Sequence, residues 1–215
     1  MSKRLERFAP LMGVLAVVLW VIGMIVGQSG DTPADNAPGA EIAAWMHADS
    51  NRLLLAMTFL GIGSAAFIWF LGSLAEHFRT DGEGRLATVV VASGAAAVTA
   101  FACFMAPTSA GALAFDNLDR SLSPQAAETL MVLGQGFFVV AEFIAVGFAG
   151  ATAIALIRGK GSPSWFGWIT ALLAIVLMVG PVGWAGLIFG IPLWTLGASI
   201  WLFVRPRRAT QTTTA

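Results

Sequence analysis

Three polar residues, Glu128, Gln135 and Glu142, recur at intervals of seven in a segment that is otherwise almost wholly apolar. Seven residues are nearly two helical turns, with a drift of about 20°, so a helix would align the three side chains in one polar stripe. At a rise of about 1.5 Å per residue the stripe is about 21 Å long. In a membrane-spanning helix it would run from the outer surface to the membrane centre, where Glu142 lies.

The stripe has two interpretations. In one it lines a half-channel or cavity that is open to the outside, and Glu142 takes up a proton or faces a cation. In the other Glu128 is an acid favoured by the helix dipole, Gln135 bonds to a neighbouring helix, and Glu142 is a buried structural donor. Either way a charged acid at mid-membrane costs about 2.5–3.5 kcal/mol. No Lys, Arg or His lies inside a predicted span, so we expect a protonated carboxyl group.

The neutral side chains predicted to reach the same depth are the possible hydrogen-bond partners of Glu142. They are Ser64, Ser93, Thr99, Trp194 and Thr195.

The composition predicts the elements that must position these residues. The chain is 57% hydrophobic and only 11% charged, whereas soluble domains are about a quarter charged. Several apolar runs approach the roughly 20 residues that span a bilayer as a helix. We therefore predict an all-α, polytopic bundle, a single domain over residues 1–208 with a disordered tail at 209–215. The predicted spans are 8–27, 53–75, 86–106, 129–157, 164–181 and 185–204.

The distribution of basic residues predicts the orientation. With a cytoplasmic N-terminus, ten basic residues fall on the inner side and only Arg52 and Arg120 on the outer side. This is the positive-inside pattern, so we expect six spans in a bacterial cytoplasmic membrane with both termini inside. The ten inner residues are Lys3, Arg4, Arg7, Arg79, Arg85, Arg158, Lys160, Arg205, Arg207 and Arg208.

Local signals predict where helices begin, end and bend. Ser123-Pro124 and Ser162-Pro163 are typical of an N-cap followed by the first helical residue. Pro107 is expected to end the third span, and Pro192 to kink the last one or to break one of its hydrogen bonds. Segments 40–49 and 113–122 each place apolar residues on one face, so both are predicted as short helices. They would either lie in the outer membrane interface or pack over the bundle.

Small residues predict where helices approach closely in a membrane. We expect Gly61, Gly63, Gly94 and Gly147 at such contacts. Gly186 and Gly190 form a GxxxG pair, which we interpret as a contact within the bundle.

The chain lacks recognisable catalytic or metal-binding patterns. Its two histidines, His47 and His77, fall on opposite sides of the predicted membrane, so they cannot ligate one haem. Cys103 is the single cysteine. Ser64 has no histidine within the membrane to activate it. We therefore expect no catalytic residue, no metal, no cofactor and, at zero net charge, no nucleic-acid partner.

Three segments carry a resemblance to known sequences: AEIAAWMHADSNRLLLA before and into the second span, FLGSLAEHFR at its end, and WFGWITALLAI in the fifth. With these the chain resembles an uncharacterised family of actinobacterial six-span membrane proteins. That resemblance implies location and topology, and it assigns no functional residue.

Two functions are consistent with these features of the sequence. The favoured one is a non-catalytic membrane protein, an accessory, interaction or small-ligand-binding bundle in contact with lipid and with another membrane protein or a second copy of itself. The alternative is a small secondary transporter or a proton- or cation-linked permease that uses Glu142. The first predicts a close-packed bundle, and the second predicts a polar cavity that reaches Glu142 from outside.

The predicted orientation can be tested by cysteine labelling. In a Cys103→Ala background, Asn36→Cys should react with a membrane-impermeant maleimide added to intact cells. Reaction only after the cytoplasmic side is exposed would reverse the orientation.

Overall fold

The structure is a computed structural model that describes residues 8–34, 36–118, 120–159 and 161–205. The predicted tail and six of the basic residues used for the orientation lie outside these ranges. The six residues are Lys3, Arg4, Arg7, Lys160, Arg207 and Arg208.

Helices make up nearly all of the described chain, which contains no strand. We number them in chain order. They are α1 (Ala9–Gln28, beginning with a 3-10 turn), α2 (Gly39–Ala48), α3 (Ser50–Thr80), α4 (Gly84–Leu118), α5 (Pro124–Arg158), α6 (Ser164–Met178) and α7 (Gly180–Val204, with a π-helical turn at Gly186–Gly190).

Five helices, α1, α3, α4, α5 and α7, are long and apolar enough to cross a membrane. The sixth apolar helix, α6, has 15 residues, or about 22 Å at the rise of an α-helix. The all-α class is therefore confirmed, and each predicted span coincides with one of these six helices.

Helices α6 and α7 form an antiparallel hairpin. Leu177 packs on Gly186, and Leu173 packs on Gly190. Further along, Thr170 Oγ1 accepts a hydrogen bond of 2.8 Å from Trp194 Nε1. The predicted close contact of the GxxxG pair is therefore confirmed inside this hairpin.

The bundle has two ends, which we name after Arg205, the residue that follows α7, and Asp116, near the end of α4. They differ in the groups that join the helices. At the Arg205 end the start of α1 meets the end of α7, where the rings of Phe8 and Phe203 are 6.1 Å apart. At the Asp116 end, Ser50 Oγ donates a 3.0 Å hydrogen bond to Asp116 Oδ1 and so joins α3 to α4. The described ends of the chain therefore lie together at the Arg205 end.

The prediction that Pro107 ends the third helix is wrong, because α4 continues through it to Leu118. Pro107 removes one hydrogen bond, the one that its N–H would donate to Cys103 O. The residues that follow it remain bonded: Thr108 Oγ1 donates to Met105 O at 3.0 Å within α4, and Ser109 Oγ donates to Leu53 O of α3 at 3.4 Å. Residues 113–118 are accordingly the last turns of α4, and they do not begin a separate helix.

The short helix predicted at 40–49 exists as α2, and it packs over the Asp116 end of the bundle. Ile42 and Met46 are buried against Leu53, Ala112 and Ala127. We expected this segment either in the outer membrane interface or packed over the bundle, and the structure shows it packed over the bundle.

The two serine-proline pairs differ. Ser123 is confirmed as an N-cap, because its Oγ accepts a 3.2 Å hydrogen bond from Ala126 N. The prediction for Ser162 is wrong, because α6 begins at Ser164 without a side-chain cap. Ser162 instead contacts His77.

Gly61 and Gly63, two residues apart on nearly opposite faces of α3, have opposite environments. A Cβ at Gly63 would lie 2.8 Å from Trp20 Cδ1 of α1, whereas a Cβ at Gly61 would have no neighbour within 4 Å. Gly94 is tight against Leu71 and Phe148. The close-approach prediction is therefore confirmed at Gly63 and Gly94 and wrong at Gly61. At Gly147 the nearest atom, the Cβ of Ser93, is at an ordinary 3.6 Å.

These contacts predict that Gly63→Leu separates α1 from α3 and lowers the free energy of unfolding by about 1–3 kcal/mol, as overpacking typically does. Gly61→Leu is the matched control on the outside of the same helix, and it should leave the melting temperature in detergent unchanged. Equal melting temperatures for the two variants would contradict this packing.

Candidate functional site

Glu142 lies on the inward face of α5, and its side chain is 5% exposed. It packs against Gly183, in the first turns of α7. A Cβ at Gly183 would overlap with Glu142 Oε1 and would lie 3.0 Å from the backbone oxygen of Leu177. The carboxyl group therefore occupies the space that a side chain at position 183 would fill. The absence of a side chain at Gly183 is what lets α5 and α7 approach around it.

The carboxyl group of Glu142 makes no hydrogen bond or ion pair with any residue in the described ranges. Ser64, Ser93 and Thr99 donate instead to carbonyl groups one turn earlier in their own helices, at 2.6–2.8 Å. Thr195 does the same, and Trp194 donates to Thr170. The five predicted partners are thus satisfied elsewhere.

The other members of the polar stripe have separate environments. Glu128 Oε1 accepts a 2.8 Å hydrogen bond from Gly39 N and so holds the start of α2. Gln135, two turns earlier on the same face of α5, is exposed, whereas Glu142 is covered by Gly183 of α7. The structure therefore places the three residues on one helix without joining them in one site.

A cavity of about 230 Å³ lies beside Glu142, between α1, α3, α4, α5 and α7. Its lining includes Trp20, Phe67, Ala97, Phe148 and Leu187, and every lining residue is apolar. An apolar cavity of about 150 Å³ stays free of water and admits a benzene-sized molecule. The cavity in this bundle is therefore large enough for an apolar group and unsuited to water.

The cavity opens towards the outside of the bundle between α1 and α7. Three of its lining residues, Val21, Ile25 and Phe189, are 48%, 63% and 58% exposed. Near the Arg205 end the same two helices are in contact, where a Cβ at Gly13 would overlap with Ser199 Oγ. The two helices are therefore in contact near the Arg205 end, and beyond that contact the cavity between them opens to the outside of the bundle.

Glu142 is not among the lining residues of the cavity, but residues about one turn from its contact with Gly183 are. Ala145, on the same face of α5, lines the cavity, and so does Leu187, four residues after Gly183. On α4 the lining extends past Glu142 towards the Asp116 end as far as Phe101, whose ring is 6.4 Å from that of Phe138. The Glu142–Gly183 contact is therefore a neighbour of the cavity wall and does not close an end of the cavity.

The π-helical turn of α7, Gly186–Gly190, contributes several residues to the cavity wall. One residue, Ile191, separates it from Pro192. The turn is the irregularity that the structure has next to Pro192, and single π-helical turns are frequent at functional sites.

One further polar atom at the cavity lacks a partner among the described residues. Trp20 Nε1 is buried and makes no hydrogen bond. It faces Gly63, since a Cβ there would lie 3.1 Å from it. The indole N–H is therefore covered by α3.

A second polar cluster lies at the Arg205 end and joins α3, the loop before α6, and α7. His77 Nε2 is 2.9 Å from Ser162 Oγ, and one Arg205 nitrogen lies within 3.2 Å of both ring nitrogens of His77. The Arg205 guanidinium group is also 5.4 Å from the centre of the Trp201 ring. The cluster anchors the end of α7, and nothing in the sequence pattern around His77 indicates it.

Ser162, His77 and Asp81 are the residue types of a hydrolase triad, but their geometry differs from one. In a triad one imidazole nitrogen faces the serine and the other donates to the aspartate. Here Asp81 Oδ2 lies 3.6 Å from the same Nε2 that contacts Ser162. We therefore interpret the cluster as a structural connection between helix ends.

The residues that sequence reasoning missed are those of the cavity wall. Their one signal in the sequence is the association of Gly186, Gly190 and Pro192, which predicts an irregular α7 without indicating a cavity.

Comparison of the chain with protein-family models, with curated proteins and with solved structures gives no match.

The Glu142–Gly183 contact can be tested by a double-mutant cycle. Gly183→Ala should lower the free energy of unfolding by about 1 kcal/mol, because the new methyl group displaces the carboxyl group. In a Glu142→Ala background the same change should have a smaller effect.

Gly180→Ala is the matched control for this cycle, because a Cβ at Gly180 meets nothing within 4 Å. It should leave stability unchanged. Strict additivity of Gly183→Ala and Glu142→Ala would contradict the contact.

Proposed function

We propose that the protein is an integral membrane protein of the bacterial cytoplasmic membrane that binds a small apolar ligand taken up laterally from the lipid. The observation that carries this proposal is the apolar cavity between α1 and α7. Its open side is formed by residues on the outside of the bundle, and in a membrane that side faces acyl chains.

The proposed topology has six crossings with both termini in the cytoplasm. The contact between Phe8 and Phe203 supports it, because it brings both described chain ends to one side. The basic residues Arg79, Arg158 and Arg205 lie at that same end, as the positive-inside rule requires of the cytoplasmic side. The resemblance to a six-span actinobacterial family is in keeping with this topology and stays a hypothesis.

The chemistry of the wall supports a hydrocarbon as the ligand. An apolar ligand gains about 25 cal/mol per Å² of apolar surface removed from water, but it gains little of this on transfer from lipid. Binding from the bilayer therefore depends on the fit to rigid walls such as Phe67, Phe148 and Trp20, which pack on one another. Ligand shape should consequently decide which lipid chain is selected.

A second candidate function, a proton- or cation-linked permease, is supported by Glu142 itself. It is a buried carboxyl group without a hydrogen-bond partner among the described residues. It also lies beside the break between α6 and α7 at Val179. Loss of a pH-driven flux in Glu142→Gln proteoliposomes, with the fold retained, would favour this candidate.

Filling the cavity tests the proposed function. Ala97 lines the cavity, and Ala97→Phe should occupy part of it and exclude a ligand. Ala96→Phe is the matched control, because Ala96 is the preceding residue and is exposed. Native mass spectrometry of the purified proteins should detect a co-purified lipid on the wild type and on Ala96→Phe, and its loss from Ala97→Phe.

Melting temperatures of the three proteins show whether both variants are folded. Equal lipid occupancy in folded Ala97→Phe and Ala96→Phe would place the lipid outside the cavity and refute the proposal.

A further inference from the structure

The carboxyl group of Glu142 and the last turn of α6 meet beside Gly183. A Cβ placed on Gly183 would overlap with Glu142 Oε1 and would lie 3.0 Å from Leu177 O. Two oxygen atoms from different helices, α5 and α6, therefore converge on one point. The carboxyl group belongs to a side chain that is 5% exposed and has no hydrogen-bond partner in the described chain.

The oxygen of Leu177 lacks the partner that a continuous helix would give it. In an α-helix it would accept a hydrogen bond from the N–H of residue 181. Residue 181 is a proline, which has no N–H. Helix α6 ends at Met178 and α7 begins at Gly180, so this carbonyl group lies at a break between two helices.

The groups that meet at this break are all negative. The C-terminus of a helix carries about half a negative charge, and an ionised Glu142 adds a full one. Residues 164–204, which contain α6 and α7, include no Asp, Glu, Lys, Arg or His, and neither do residues 86–115 of α4. On α5 Glu142 is the only such residue between Glu128 and Arg158. The carboxyl group therefore needs either a proton or a cation from solution.

We propose that Glu142 and the backbone oxygen of Leu177 bind a monovalent alkali-metal cation that enters from the Asp116 end of the bundle. Broken transmembrane helices of transporters coordinate Na⁺ in this manner, with unwound backbone carbonyls and the C-terminal ends of half-helices. The inference does not depend on the apolar cavity, and it supplies the second candidate function with a ligand and a site.

The charge of the site favours a monovalent cation. One carboxylate neutralises one positive charge, whereas a divalent ion would keep an unpaired charge in an apolar bundle, which is unfavourable. Among the described residues no group of three or more His, Cys, Asp or Glu side chains is placed to hold a metal ion. A site built from one carboxylate and neutral carbonyl oxygens therefore matches an ion such as Na⁺.

The site lies close to the outside of the bundle. Val179 and Val182, in the turn between α6 and α7 and just after it, are 46% and 47% exposed. Gln135, two turns from Glu142 on the same face of α5, is also exposed. The carboxyl group is thus covered by the first turns of α7, beside residues that an ion from the Asp116 end can reach.

Cation binding is an exchange for a proton. The O–H bond of protonated Glu142 breaks, the proton passes to water, and the carboxylate oxygen contacts the cation, so the net charge of the site does not change. Protons and cations therefore compete for Glu142. Below the pH at which Glu142 titrates, the apparent Kd for the cation should increase about tenfold for each pH unit.

Melting temperatures of the detergent-solubilised protein report this binding. NaCl, KCl and LiCl would be compared at alkaline pH with choline chloride of the same concentration, which controls for ionic strength. At least one of the three alkali-metal ions should raise the melting temperature of the wild type above its value in choline chloride. The salt concentration that gives half of the rise should increase about tenfold per pH unit on acidification.

Two pairs of variants locate the site. Glu142→Gln removes the charge, and Gly183→Ala places a methyl group where the two oxygens converge, so both should abolish the rise. Their matched controls are Glu128→Gln, on the same helix, and Gly180→Ala, where a Cβ meets nothing within 4 Å. Both controls should keep the rise, and melting in choline chloride shows whether each variant is folded.

Two results would refute the inference. A rise that persists in folded Glu142→Gln would place the cation elsewhere. No rise of the wild type with any of the three ions would mean that Glu142 binds a proton only.

The inference and the proposed function can fail separately. Ala97→Phe fills part of the apolar cavity and leaves both oxygens in place, so it should keep the response to the cation. Its effect on the co-purified lipid tests the apolar ligand alone.

Discussion

Polar groups in an apolar bundle must find partners within the protein, and this constraint accounts for most of the architecture. Backbone groups satisfy one another in helices, and buried hydroxyls such as those of Ser64, Thr170 and Thr195 donate to carbonyls one turn earlier. Glu142 is too long and too acidic to be satisfied in this way. Its carboxyl group extends from α5 to the neighbouring helix, where Gly183 leaves room for it.

The irregular part of α7 lies next to this contact. The hairpin turn at Val179 places Gly183 about one turn from the start of α7, level with Glu142. The π-helical turn and Pro192 then continue the helix towards the Arg205 end, where Ser199 meets α1. Between these two points α7 and α1 are separated, and the apolar cavity fills the space between them.

The positions of the helices could be predicted because hydropathy and length are local properties of the sequence. The inward orientation of Glu142 could also be predicted, since a carboxyl group facing lipid is unfavourable. The rotation of each helix about its axis could not. It decides that Gly63 is in contact and Gly61 is not. Gln135 and Glu142 share one face of α5, and only Glu142 is covered, by Gly183 of α7, so their difference depends on how far the neighbouring helix extends. Residues of five helices line the cavity, so no single segment of the sequence indicates it. In the sequence these residues cannot be distinguished from apolar residues that pack against another helix or face lipid.

Photoaffinity labelling tests the central claim that an apolar chain occupies the cavity. An octylamine carrying a diazirine at the end of its chain would be irradiated with the protein in lipid nanodiscs. Peptide mass spectrometry should place the label at cavity residues such as Phe67 and Phe148. A label confined to outward-facing residues such as Ile62 and Leu193 would contradict the claim.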